Sequence, residues 1–170
     1  EGGASDAECT VIQGDEFSVN VRHGQVESLK EAGSRGAGIR VLMGQRTGSA
    51  YTSDLTPAGI RAMVEGAVEI ANITNDDPFA GLPDDSEFGR LETDLELYCE
   101  DVESMSTTEK IRRAREAEAA SLSVDPRINN SEGASFDSYT GVRVFANSRA
   151  FVNSYRTSSC ALSTVPVARE

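Results

Sequence analysis

Histidine is almost missing from this chain: His23 is the only one in 170 residues, tryptophan is absent, and there are three cysteines. A zinc hydrolase draws on about three protein ligands, often histidines at helical spacing, and one imidazole cannot build that geometry. Ser-His and Cys-His nucleophilic schemes need the same imidazole beside a nucleophile, whereas His23 precedes Gly24 in what reads as a hairpin tip. Without tryptophan the aromatic platforms of a glycosidase are poorly supplied, and nothing among the many carboxylates singles out a catalytic pair. Cys9, Cys99 and Cys160 lie far apart and form no C-x-x-C pair; the odd count argues for reduced thiols in a cytosolic compartment, not a disulfide framework. No apolar run approaches the ~20 residues that span a bilayer, and no signal-peptide pattern opens the chain. The first residue is Glu1 and not Met, from which a missing start is expected.

Basic residues are also scarce, 16 against 28 acidic ones, for a formal net charge of -12. Nucleic-acid binding depends on Lys and Arg displacing counterions from phosphates, so DNA and RNA are excluded as expected direct partners. Lys110, Arg112, Arg113 and Arg115 are the one local cluster, and their spacing suits the solvated face of a helix. The acidic pairs Asp76-Asp77 and Asp84-Asp85 lack the spacing of an EF-hand and read as solvated loop. Leu, Ile, Val and Phe amount to 36 residues, near the lower limit for a chain that folds alone, which predicts a modest or shared core.

What is present reads as α+β: antiparallel strand meanders with two main helices packed on the sheet. Alternation over 17–22 resumes after His23-Gly24 at Val26, giving a hairpin. The glycine run Gly33, Gly36, Gly38 has no following Lys-Ser or Lys-Thr and precedes a strand, so close backbone packing or a bulge explains it better than a phosphate loop. Strands follow around Ile39–Met43 and Ala50–Tyr51, with a turn at Gly44-Gln45-Arg46. Thr56 and Pro57 open a helix as N-cap and first residue, with Leu55 placed to staple onto Ile60. Its apolar stripe is Ile60, Met63, Val64, Ala67, Val68 and Ala71. Residues 76–91 read as a linker or long surface loop. Ser106 and Glu109 form a capping box for a second helix with a small inward face at Ile111, Ala114, Ala117 and Leu122. Strands return at Val142–Val144, at 151–155 after a turn at Asn147-Ser148, and at 162–167, where Pro166 suggests an edge strand. The whole, 1–170, divides into two helix-plus-strands halves, about 7–77 and 94–169, joined by the Pro/Asp-rich loop.

The string Val21-Arg-His-Gly-Gln-Val-Glu-Ser-Leu-Lys, then Ser34-Arg-Gly-Ala-Gly-Ile-Arg-Val41 and the stretch 48–55, resembles the amino-terminal region of the TldD/PmbA family, peptide-processing metallopeptidases once described as modulators of DNA gyrase. Asp77-Pro-Phe-Ala-Gly-Leu-Pro-Asp84 and Asn130-Ser-Glu-Gly-Ala-Ser-Phe136 resemble the PmbA, or TldE, branch in particular. The resemblance implies a metal site on a His-Glu-x-x-x-His helix with a later cysteine ligand, carried by the TldD-type subunit in a carboxy-terminal region; no counterpart occurs in these residues. It implies no cofactor in this segment, zinc in a TldD-type partner, a homo- or heterodimer with such a subunit, and an unfolded peptide as substrate. It implies a cytoplasmic protein without nucleic-acid or membrane partners, in which this stretch is a non-catalytic scaffold and subunit-interaction surface. The alternative is a stand-alone module that holds extended peptides by β-augmentation on an edge such as 162–167. Asn130, Ser131, Glu132 and Gly133 are the candidate peptide or partner contact, against a plainer reading as a strand-entry turn. No catalytic or metal-ligating residue is expected.

Overall fold

The computed structural model describes residues 3–89 and 93–169; Arg90 and Leu91, at the end of the expected loop, lie outside the described residues. The elements in chain order are β1 (Asp6–Arg22), β2 (Gln25–Met43), β3 (Arg46–Thr52), α1 (Pro57–Ile73), a 3-10 turn (Asp85–Glu87), α2 (Glu100–Ser104), α3 (Thr107–Leu122), β4 (Ile128–Asn147) and β5 (Val152–Ala168). The strands form one five-stranded antiparallel sheet in the order β3-β2-β1-β4-β5. The fold is α+β, with a third, short helix, α2, beyond the two expected.

The strands are far longer than the sequence pattern suggests. β2 runs unbroken through the glycine run, and β4 and β5 absorb what read as several short strands. Alternation is a signal of one-sided burial, and it fades wherever both faces of a strand are small or polar. The glycines serve as close-approach points: a Cβ on Gly36 would lie 3.1 Å from the Thr52 carbonyl oxygen of β3. β5, at the sheet edge, carries Pro166, the position where a missing N–H costs no ladder bond.

The chain divides into two compact units. The first comprises Glu1–Gln13, Ser34–Leu95 and Val142–Tyr155. Its core is Val41, Ala67 and Ala71, with Ala7, Ile39, Met43, Ala50 and Val68 packed against them. Here α1 lies on β3. Thr56 caps it, its hydroxyl accepting the Gly59 N–H at 3.2 Å, and Pro57 is the first helical residue, as the sequence indicates. Asp54 accepts the Thr56 N–H at 2.9 Å; this bond and one from the Thr56 side chain hold the Asp54 carboxyl below its ordinary range.

The second unit comprises Gly14–Gly33, Glu96–Gly141 and Arg156–Glu170. Phe17, Val19, Val21, Ala114 and Phe136 form its core, with Met105 and Ile111 at the margin. Each fully buried valine contributes roughly 1.5–3 kcal/mol. α3 starts at Ser106, whose hydroxyl accepts the Glu109 N–H at 3.2 Å. The reciprocal half of the expected capping box is replaced: the Glu109 carboxylate binds Arg112 and Arg113, which hold it near a pKa of about 2. Arg112 also pairs with Glu116, so the basic cluster is a solvated helix face, except that Lys110 reaches over the Phe17 ring at 4.4 Å.

Candidate functional site

The stretch 130–133 falls within the start of β4, in the second unit. There it meets the β1–β2 turn and the inner face of α3. The turn is His23-Gly24, with φ of 49° and 72°, a type I′ geometry that suits the twist of paired strands. His23 is exposed at the tip, as its position before Gly24 suggests.

Behind that tip lies Glu118 of α3, only 1% exposed. Its Oε1 accepts the His23 N–H at 2.9 Å and its Oε2 the Gly24 N–H at 2.8 Å. Burial alone would push this carboxyl upward, but the Gly24 and His23 amides and the Ser131 hydroxyl outweigh it and hold the group below the ordinary carboxylate range. A buried charge is tolerated when its lone pairs are filled in this way. Sequence reasoning missed Glu118, taking the inward face to be small residues alone; the available signal was its i+4 position from Ala114 on the buried stripe.

Three of the four candidate contact residues are built into this centre. Ser131 is fully buried; its carbonyl accepts Arg22 Nε at 3.0 Å and its hydroxyl accepts the Gly133 N–H at 2.8 Å. Asn130 Oδ1 accepts the Ser131 N–H at 2.9 Å. Gly133 has φ 112°, and a Cβ there would lie 2.5 Å from Asn20 Oδ1 and 2.8 Å from the Val21 carbonyl oxygen. Thr164 of β5 donates to the Gly133 carbonyl at 3.4 Å and meets Ser121 of α3 at 3.1 Å. Glu132 is the exposed member of the four. The arrangement positions backbone: its one carboxylate takes the His23 and Gly24 amides and the Ser131 hydroxyl, and that serine is fully buried.

Among the described residues no group of three or more His, Cys, Asp or Glu side chains converges to hold a metal ion. The acidic loop pairs are occupied otherwise: Asp77 Oδ1 accepts the Phe79 N–H at 2.9 Å, and Asp85 pairs with Arg149 at 3.3 Å. The three cysteines are free thiols; Cys9 is raised by burial. The described residues therefore offer no set of side chains that would fit a catalytic zinc. No helix among the described residues is long and apolar enough to cross a membrane.

Comparison with known proteins places the chain in a family. Residues 7–71 match the family model described as PmbA/TldA metallopeptidase domain 1, and residues 100–170 match the PmbA/TldA metallopeptidase central domain. Metalloprotease PmbA of Escherichia coli O157:H7 is 38% identical over 169 residues, 99% of this chain and 37% of that protein. The Metalloprotease PmbA homolog of Haemophilus influenzae is 41% identical over 162 residues, 95% of this chain and 35% of that protein. The chain thus spans little more than a third of the length of these relatives. In fold it is similar to TldE from Thermococcus kodakarensis, with a TM-score of 0.82, 15% identity, and coverage of 98% of this chain and 37% of that one. With 38% and 41% identity along nearly its whole length and two domain models of one family matched in order, the chain belongs to the PmbA/TldD metallopeptidase family.

Proposed function

We propose that this segment is the non-catalytic amino-terminal support of a PmbA-type metallopeptidase subunit, contributing subunit contacts to an assembly that processes unfolded peptides. The observation that carries the reading is the ordered match of residues 7–71 and 100–170 to the first and central domains of the family. The polar centre at Glu118 supports it, because that centre spends its hydrogen bonds on holding a turn, a helix and a strand together. The partner in this reading is a TldD-type subunit that carries the zinc, the assembly being a homo- or heterodimer in the cytoplasm. Glu132 is the member of the 130–133 stretch that remains able to touch a partner or peptide.

Metal analysis of the purified 170-residue segment tests the non-catalytic part: zinc well below one equivalent is expected. Stoichiometric zinc, or peptide cleavage by the segment that a chelator abolishes, would overturn it. A second reading, peptide capture by β-augmentation, draws on the edge position of β5. Titration with unfolded peptides separates the two, since a support alone gives no saturable binding.

A further inference from the structure

A sheet edge leaves a row of unpaired N–H and C=O groups, and at one point on β5 the chain covers its own. The Ser158 N–H donates to the Leu97 carbonyl at 2.9 Å, the Cys99 N–H donates to Ser158 Oγ at 2.7 Å, and that hydroxyl reaches back to the Cys99 carbonyl at 3.4 Å. Residues 97–99 thus lie along the outer side of an edge strand, and α2 follows directly. Both partners belong to the second compact unit.

What holds this stretch is polar. Arg156 Nη2 donates to the Tyr98 hydroxyl at 2.8 Å and to the two Glu103 oxygens at 2.9 and 2.8 Å, and its guanidinium sits 3.7 Å from the Tyr98 ring centroid. The Tyr98 hydroxyl donates in turn to Glu103. Apolar burial adds little: α2 has no buried residue, and Leu97 is 43% exposed. At the entry Glu96 has φ 51°, a conformation that costs about 1–3 kcal/mol in a residue other than glycine. At the exit the hold changes character, because Met105 packs against the Phe17 core and Ser106 caps α3. A segment with few apolar contacts and exposed hydrogen bonds opens at lower free energy than the core beneath it. Its ion pairs, being exposed, are weakened by salt.

We infer that residues 97–104 are a strap across the outer edge of β5, clasped by Arg156, which opens while the rest of the unit stays folded and so switches the Ser158 end of that edge between covered and bare. The inference does not depend on the subunit reading above. Hydrogen exchange of the full-length protein, resolved over 156–160, tests it at about 50 and 300 mM salt, concentrations that bracket strong and weak screening. Wild type, Arg156→Gln and Glu103→Gln are compared, with the thermal midpoint of each measured beside it. Loss of the clasp should speed exchange at Ser158 about fivefold, leave β4 and the midpoint unchanged, and remove most of the acceleration by salt that wild type shows. Exchange at Ser158 that stays within about twofold of wild type in both variants, well short of what a lost ion-pair cluster gives, overturns the clasp. Acceleration that extends evenly through β4 and α3 means that the strap opens only with the whole unit, and overturns the switch. Wild-type exchange at Ser158 as slow as that of the buried Val19 and Val21 does the same.

Discussion

Each oxygen of the Glu118 carboxylate takes one amide of the His23-Gly24 turn, so a single change can be aimed at one bond. Glu118→Gln turns one acceptor into a donor facing an N–H, and the stability loss should be about 1–3 kcal/mol by urea denaturation at neutral pH. The carboxyl is held below its unfolded range, so its contribution is present above the ordinary carboxylate pKa and is lost as pH falls through the depressed native one. The gap between wild type and variant should therefore narrow in acid; a gap unchanged down to pH 3 would show that charge is not what the amides bind. Gly133→Ala should cost more than 2 kcal/mol, because φ 112° strains any L side chain and the new methyl meets the Val21 backbone. Beyond the i+4 position of Glu118 from Ala114, neither role was legible in the sequence, since each depends on a partner far along the chain: His23 lies 95 residues from Glu118, and Gly133 meets the Val21 backbone of β1.

At the scale of elements, α1 was the most legible part, because its cap, first-turn proline and apolar stripe are all local signals. Its seat was not. Gly48 of β3 is where α1 comes closest: a Cβ there would lie 2.0 Å from the Ala67 carbonyl oxygen and 2.5 Å from the Ala71 nitrogen. Gly48→Ala must push helix from strand, and a loss of about 3 kcal/mol, at the upper end of overpacking costs, is expected in equilibrium unfolding; a loss under 1 kcal/mol would mean that the two can separate freely. The loop after α1 reads as linker from its Pro, Asp and Gly content, whereas Arg149 binds Asp6, the Pro83 carbonyl and Asp85. Arg149→Ala should expose residues 79–88 to limited proteolysis with little change in the global unfolding midpoint. Strand lengths were the least legible feature, since β2 and β4 keep their ladders through glycine and serine positions that carry no apolar alternation.

For the whole molecule, the charge reading stands apart from the older gyrase vocabulary attached to the family. A net charge of -12 leaves few counterions to release from a duplex, so no retardation of duplex DNA is expected at 50–150 mM salt, and a salt-dependent shift would contradict it. The edge of the sheet raises a different question, that of uncontrolled growth. Along β5 the Ser158 N–H donates to the Leu97 carbonyl at 2.9 Å, away from the sheet ladder, and Pro166 shares the parity of Ser158. The proline thus removes a donor from the outward row, at the part of the edge where exposed Leu162 and Val165 would otherwise welcome a foreign strand. One ring therefore interrupts the template: at high concentration, copies of this chain would lack a continuous row of donors for strand addition along β5 beyond that point.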